Sequence, residues 1–304
     1  MRWALCKTKT YGMSQPRFYA KDNLMNYRHI YHAGNFADVF KHIVLMLLLG
    51  HLLKKDRPFF VLDTHAGLGL YDLSAAQAQK TSESAAGIGR LWETENLPGA
   101  VAHYVAAVRR YNPDGVLRFY PGSPLIAHDV MRLSDRLAAN ELHPGDGEVL
   151  KNSLKIFRNV RVEAMDAYRA LKSFLPPPEK RGLALVDPPF EAPDEFVRLT
   201  QGLKEAHARW ATGIYALWYP IKDPAQIAGW HRDLGASGIT RITAFDFYLH
   251  HPVKDRGKLN GCGLAVVNPP WTLADELRTI MPFLTAVLTE GRGRFDVNEI
   301  SGET

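Results

Sequence analysis

The spacing of apolar positions changes period several times along the chain. NFADVFKHIVLMLLLGHLLKK, residues 35–55, puts Phe36, Val39, Phe40, Ile43, Val44, Leu47 and Leu48 at helical spacing. Asn35 or Asp38 suits the start of that helix, and Lys54 and Lys55 suit its end. Next, Phe59 to Leu62 is a short apolar run stopped by Asp63, the pattern of a buried strand. Gly67 and Gly69 then make a loop that can approach a ligand closely. From about Ser74 to Asn112 the period is helical, broken at Leu97-Pro98-Gly99. Further apolar runs predict strands ending at Glu141, near Asp166 and at Asp187, then over 213–220, 241–250 and 261–270. Helical stretches such as 194–209 and 223–236 separate most of them.

Strands alternating with helices predict an α/β fold, a mainly parallel sheet with helices on both faces. Asp63 to Glu141 spans 78 residues, whereas Glu141 to Asp166 spans 25 and Asp166 to Asp187 spans 21. The later steps fit single strand–helix units. The first is too long by roughly 40 to 50 residues, which predicts a helical insertion over about 71–118.

Composition refines this picture only slightly. The chain has 304 residues, 46% hydrophobic and 23% charged, which suits one large domain. Two cysteines, Cys6 and Cys262, suggest no disulfide framework, and a reducing, cytoplasmic setting follows as the expectation. The apolar run Ile43 to Leu49 is too short to span a bilayer, so no membrane partner is expected. Five cations against Asp22 give residues 1–24 most of the formal charge of +5. That segment lacks an apolar period and reads as a non-core extension. It could be a basic arm, a targeting segment, or a stretch upstream of a start near Met25.

An acid stands at four successive strand ends: Asp63, Glu141, Asp166 and Asp187. Ligands of open parallel sheets bind at the carboxyl ends of the strands. Turn-forming Asp is the bland explanation for any one of these acids. Leu70, Tyr71 and Asp72 follow Gly69, so the third glycine of a dinucleotide fingerprint is missing, which disfavours a nicotinamide enzyme. A nucleoside with a charged side chain fits better, namely S-adenosylmethionine. Glu141 would then accept its ribose hydroxyls, with Asp166 near its adenine amine. LVDPPF gains a purpose in this reading. An exocyclic amine is a poor nucleophile because its lone pair is delocalised into the ring. Asp187 and the Pro188 carbonyl can each accept one N–H and hold the amine, Pro188 makes the turn rigid, and Phe190 can stack on the base.

[D/N/S]-P-P-[Y/F/W] after the fourth strand is the signature of the amino-methyltransferases that use S-adenosylmethionine. YRHIYHAGNFADVFKH (27–42), FVLDTHAGLGLY (60–71), YPGSPLIA (120–127), ELHP (141–144) and GIYALWYP (213–220) together resemble the RlmJ family of bacterial 23S ribosomal RNA adenine-N6 methyltransferases. The resemblance covers about residues 25–285. It implies a Rossmann-like methyltransferase domain over 25–304, with a seven-stranded, mostly parallel sheet whose seventh strand is antiparallel. It also implies a cytoplasmic monomer acting on 23S ribosomal RNA, with no metal and S-adenosylhomocysteine as product. Cofactor contacts are implied for His42, His65, Ser123, Glu141, Asp166, Ala167 and Asp187, with Asp187 also at the reaction centre. Tyr27, His29 and Lys41 are implied to close the site around the target adenine. Two positions depart from the family pattern: Phe190 replaces the common Tyr, and Ala167 replaces the common Gly. The second is tolerable if the contact there is through the backbone. The rivals are a DNA adenine-N6 methyltransferase and a catalytically inactive RNA-binding relative.

Candidate RNA contacts are Arg28, His29, His32, Lys54, Lys55, Arg57, Arg109, Arg110 and the loop 251–261, with Tyr27, Tyr31 and Tyr111 able to stack on bases. LAVVNPPWTLA (264–274) echoes LALVDPPFEAP (183–193). With an antiparallel seventh strand, Asn268-Pro269-Pro270-Trp271 falls at the opposite edge of the sheet, as a rigid exit in which Trp271 is expected to pack.

Overall fold

The computed structural model describes residues 28–251 and 257–302. Tyr27, the expected extension over 1–24 and part of the basic loop (252–256) lie outside the described residues. The main sheet has eight strands. Five are parallel: β1 (Phe60–Asp63), β4 (Arg136–Asn140), β5 (Val160–Glu163), β6 (Gly182–Val186) and β7 (Ile214–Ile221). With β8 (Ile242–Tyr248), β9 (Gly261–Val267) and β10 (Arg294–Ser301), the order across the sheet is β10-β8-β9-β7-β6-β1-β4-β5. The seventh strand, β9, runs antiparallel to both neighbours, as expected. The sequence reading stopped at seven strands. The eighth, β10, pairs antiparallel with β8 at an edge, where only one strand partner is needed and its polar RFDVNEIS sequence is tolerated.

Alternation along the strands fills two cores. Val61, Leu183 and Leu185 face α1 (Phe36–Leu53) and α11 (Leu273–Thr289). Phe60, Leu62, Ala184 and Val186 face α8 (Ala167–Phe174), α9 (Glu195–Arg209) and α10 (Pro224–Gly235). Both faces of β6 are thus covered, which explains its unbroken apolar run. α7 (Pro144–Leu154) packs with Leu125 and Ala139 in a smaller cluster.

Asn35 caps α1, its side chain accepting from the N–H groups of Ala37 and Asp38. The helix is apolar all round, with mean hydropathy 1.7, but 78% of it is buried in the protein core. Leu70–Asp72 (β2) pairs antiparallel with Phe119–Pro121 (β3). Between them the chain forms α2 (Ala76–Thr81), α3 (Glu83–Ala86), α4 (Ile88–Trp92) and α5 (Gly99–Arg109), and after them α6 (Ser123–Val130).

The echo phrase behaves as strand direction requires. The Asn268 side-chain amide donates to the carbonyls of Ala211 and Gly213, which precede β7, so it lies at the amino edge of the parallel strands. Packing of Trp271 is not observed: the side chain is 83% exposed. The turn aims it away from α11, whose apolar face is filled by Leu273, Leu277 and Leu284.

Candidate active site

α1 delivers polar groups through an apolar helix. Asp38, Lys41 and His42 are buried on its first two turns, at the carboxyl edge of the sheet. Lys41 Nζ stands 2.8 Å from Asp38 Oδ1 and 2.5 Å from Asp187 Oδ2, where β6 has just ended. Burial would lower the Lys41 pKa, but the Asp187 and Asp38 carboxylates outweigh it and hold the ammonium well above its usual range. Burial likewise opposes ionisation of Asp38, yet His29 and Lys41 keep that carboxyl well below its usual value. Asp38 Oδ2 also meets His29 Nε2 at 2.9 Å and accepts from the Gly34 N–H. A chain His29–Asp38–Lys41–Asp187 therefore fixes Asp187 through one oxygen, leaving Oδ1 for another donor.

A pocket with about 210 Å³ of empty space opens here, lined by His29, Lys41, His42, His65, Ala66, Tyr71, Gly122, Ser123 and Asp187. Gly67 turns the chain after β1 with φ +59°, and a Cβ there would meet the Tyr71 hydroxyl at 2.0 Å. Its N–H donates to Glu141 Oε2, while Oε1 of the same carboxylate accepts from His143 N. Burial raises the Glu141 pKa. Each oxygen keeps a second acceptor position. Asp166 caps α8 by accepting from Tyr168 and Arg169, but not from Ala167. Asp63, at the end of β1, is buried with Ser123 beside it, and burial pushes its carboxyl up to about 6. His42 and His65 are held neutral by burial, with pKa values lowered to about 3 and about 4.

Phe190 stands at φ +52°, a left-handed conformation unusual for an aromatic residue. Its ring centroid lies 4.8 Å from Phe196 and 6.0 Å from Trp218.

Of the residues singled out from sequence, His29, Lys41, His42, His65, Ser123 and Asp187 meet around one pocket. Glu141 reaches the same glycine loop through Gly67. Asp166 and Ala167 open α8. Pro188 and Phe190 directly follow Asp187. Asp38 was read only as a possible cap; its position three residues before Lys41 is the signal for its role here. Tyr71, Tyr120 and Trp218 carried no sequence signal distinguishing them from core aromatics. Several candidate RNA contacts are elsewhere. Lys54, Lys55 and Arg57 follow the far end of α1, about 20 Å from Lys41 at 1.5 Å per residue. Tyr111 is buried, and Arg109 packs over the Trp92 ring.

The family model described as "RsmJ: Ribosomal RNA large subunit methyltransferase D, RlmJ" matches residues 56–300. The chain is 42% identical to "Ribosomal RNA large subunit methyltransferase J" of Haemophilus influenzae over 282 residues, covering 92% of this chain and all of that one. It is 41% identical to the protein of the same name from Escherichia coli K12, again over 92% of this chain and all of that one. Among solved structures, protein LPL1258 from Legionella pneumophila superposes with a TM-score of 0.82 at 35% identity, covering 90% of this chain and 99% of that one. The chain belongs to the RlmJ family of ribosomal RNA large subunit methyltransferases.

Proposed function

We propose that this chain transfers the methyl group of S-adenosylmethionine to N6 of an unpaired adenine in 23S ribosomal RNA, as a monomer in the bacterial cytoplasm without a metal ion. The carrying observation is Asp187. It stands at the end of β6, is clamped by Lys41 through Oδ2, and is followed by Pro-Pro and a fixed aromatic ring. The relatives' names point to the large ribosomal subunit as the source of the RNA.

The site suits the cofactor on its own chemistry. His42 Nε2 is a buried polar atom without a protein partner, and His42 lines the pocket. Glu141 has free acceptor positions for the ribose hydroxyls, Asp166 lies toward the adenine amine, and the Ala167 backbone N–H is left by the α8 cap for an adenine ring nitrogen. His42, His65 and Ser123 would hold the methionyl end. When bound, S-adenosylmethionine supplies an electrophilic methyl on a sulfonium and leaves as S-adenosylhomocysteine.

The chain's own residues do the rest. Asp187 Oδ1 and the Pro188 carbonyl accept the two N–H groups of the target amine, which turns the nitrogen toward the methyl. Lys41 pairs with Asp187 and orients it. Phe190 stacks on the adenine, which must leave its helix to arrive here. His29 borders the pocket into which the adenine would enter. The amine proton leaves to solvent once the N–C bond has formed. Residues 25–304 form one methyltransferase domain, and 71–118 are an insertion whose neck is the β2–β3 pairing.

Incubation with labelled S-adenosylmethionine and, separately, protein-free 23S ribosomal RNA and double-stranded DNA tests the reading. Label in the RNA, recovered as N6-methyladenosine, is the expected result. Label only in the DNA overturns it, and label in neither favours an inactive binding protein.

A further inference from the structure

Three histidines line the pocket, and two of them, His42 and His65, have a hydroxyl at Nδ1. A neutral imidazole carries one N–H, so whatever satisfies Nδ1 decides what Nε2 offers. Thr64 Oγ1 has one proton and two neighbours, the Leu185 carbonyl at 3.0 Å and His65 Nδ1 at 2.9 Å. The carbonyl can only accept. Giving it the hydroxyl proton makes both contacts hydrogen bonds, with His65 donating from Nδ1. Giving the proton to His65 leaves two oxygens facing each other with none between. His65 is therefore protonated at Nδ1 and bare at Nε2.

His42 is set the opposite way. Its Nδ1 lies 2.8 Å from the Tyr120 hydroxyl, which lies 2.9 Å from the Tyr104 hydroxyl. Both tyrosines are fully buried. Among the described residues Tyr104 has Tyr120 as its hydroxyl partner. If Tyr104 donates to Tyr120 and Tyr120 to His42 Nδ1, both hydroxyl protons have acceptors, and the one proton left over is the His42 Nε2–H, on a residue that lines the pocket where a ligand can accept it. The reverse order strands the Tyr104 proton in the core, which is the costly arrangement. His42 then carries its proton on Nε2, the buried atom without a protein partner. Ring geometry sends Nε2 away from Tyr120, toward the pocket.

We infer that these hydroxyls lock His42 and His65 in opposite tautomers, so that His42 Nε2–H donates to the methionyl carboxylate of S-adenosylmethionine and bare His65 Nε2 accepts from its ammonium. Tyr120 and Thr64 are thus positioning residues, with Tyr104 orienting Tyr120. The assignment of ligand ends rests on the proposed function; the tautomers do not. Asp187 and Asp166 act on His65 against Lys41 and Arg198, so the bare Nε2 acceptor, and not the net charge around it, is what suits the ammonium there.

Histidine-ring nitrogen NMR on the full chain tests the tautomers directly, with His42→Gln and His65→Gln spectra for assignment. His42 protonated at Nε2 and His65 at Nδ1 is the expected result. The same tautomer at both, or the reverse pair, overturns the inference. Calorimetry then tests the consequence. Tyr120→Phe should weaken S-adenosylhomocysteine binding about tenfold. It should leave unchanged the affinity for 5′-methylthioadenosine, which keeps the nucleoside and lacks the amino acid. Equal losses for both ligands mean a merely structural tyrosine and overturn the positioning role. Should Tyr120→Phe fail to fold, Thr64→Val gives the same pair of readouts at His65. If the unmodified protein binds neither ligand, the proposed function falls, while the ring spectra still decide the tautomers.

Discussion

Asp187-Pro188-Pro189-Phe190 and Asn268-Pro269-Pro270-Trp271 are nearly the same words at opposite edges of one sheet. Each closes a fully buried strand, β6 or β9. Their backbones differ: the left-handed residue is the fourth in the first phrase, Phe190, and the first in the second, Asn268. Their polar heads differ too. Asp187 is an acceptor held by Lys41 at a pocket, whereas Asn268 is a donor tied to the Ala211 and Gly213 carbonyls. Their rings diverge last, Phe190 within an aromatic cluster and Trp271 in solvent. Strand direction produces all of this. A parallel strand brings its carboxyl end to the ligand edge, and an antiparallel one carries the same letters away from it.

The widest contrast should come from the two heads. Asp187→Asn keeps the shape but loses the charge that pairs with Lys41 and one acceptor for the amine. Turnover should fall about 10²- to 10³-fold, the cost of removing one preorganised polar group at a reaction centre. Affinity for S-adenosylhomocysteine should change little. Unchanged turnover in a methylation assay would count against the whole mechanism.

Ring removal comes next. Phe190→Ala takes away the stacking surface, worth about 1–3 kcal/mol per base, so kcat/KM for RNA should drop roughly tenfold to hundredfold. Phe190→Tyr should retain most activity if stacking is the ring's task. A large loss in the Tyr variant would show that the pocket rejects the hydroxyl.

pH separates the edges by a different route. His42 has its pKa lowered to about 3 by burial, against 6.5 for an ordinary histidine. Below 6.5 the unfolded chain takes up a proton that folded His42 refuses. Its contribution to stability is therefore complete above 6.5 and is lost as pH falls toward 3. Each pH unit in that window should shift the stability difference between wild type and His42→Gln by about 1.4 kcal/mol, in favour of the variant as pH falls. The amide of Asn268 does not titrate. The cost of Asn268→Ala should be the same at pH 5 and pH 7, as urea unfolding would show.

Much of the fold was legible because strands and helices here obey their periods. Phe59–Leu62, LALV and the long apolar stretch after Asn35 all became the expected elements. β10 was not legible, because its alternation is short: Phe295 and Val297 face one core, and a register shift at Glu299–Ser301 leaves Ile300 against the other. The site was legible where chemistry demands an unusual residue, as with Asp187 or His42, and where the family resemblance supplied the roles. It was not legible where ordinary core letters do the positioning. Tyr104 and Tyr120 look like packing from sequence and differ from it only through contacts between distant segments. Asp38 was hidden for another reason, since an acid near a helix start has capping as its ordinary explanation.

Asn268→Asp rewrites the second phrase as the first, and it should not create a second site. A carboxylate cannot donate to the Ala211 and Gly213 carbonyls and would repel them. Stability should drop by about 2–3 kcal/mol, two lost hydrogen bonds plus repulsion, with turnover per folded molecule unchanged.

The smallest effect belongs to Trp271. With its side chain 83% exposed, Trp271→Ser removes little buried area and should change stability by less than about 0.5 kcal/mol. Its turn keeps both prolines, and Asn268 keeps its two carbonyls, so the exit from β9 is unaffected. Methylation of full-length RNA should also be unchanged, because this edge faces away from the pocket. A stability loss of about 2 kcal/mol or more would mean that the ring packs after all. It would restore the symmetry between the two phrases that strand direction has broken.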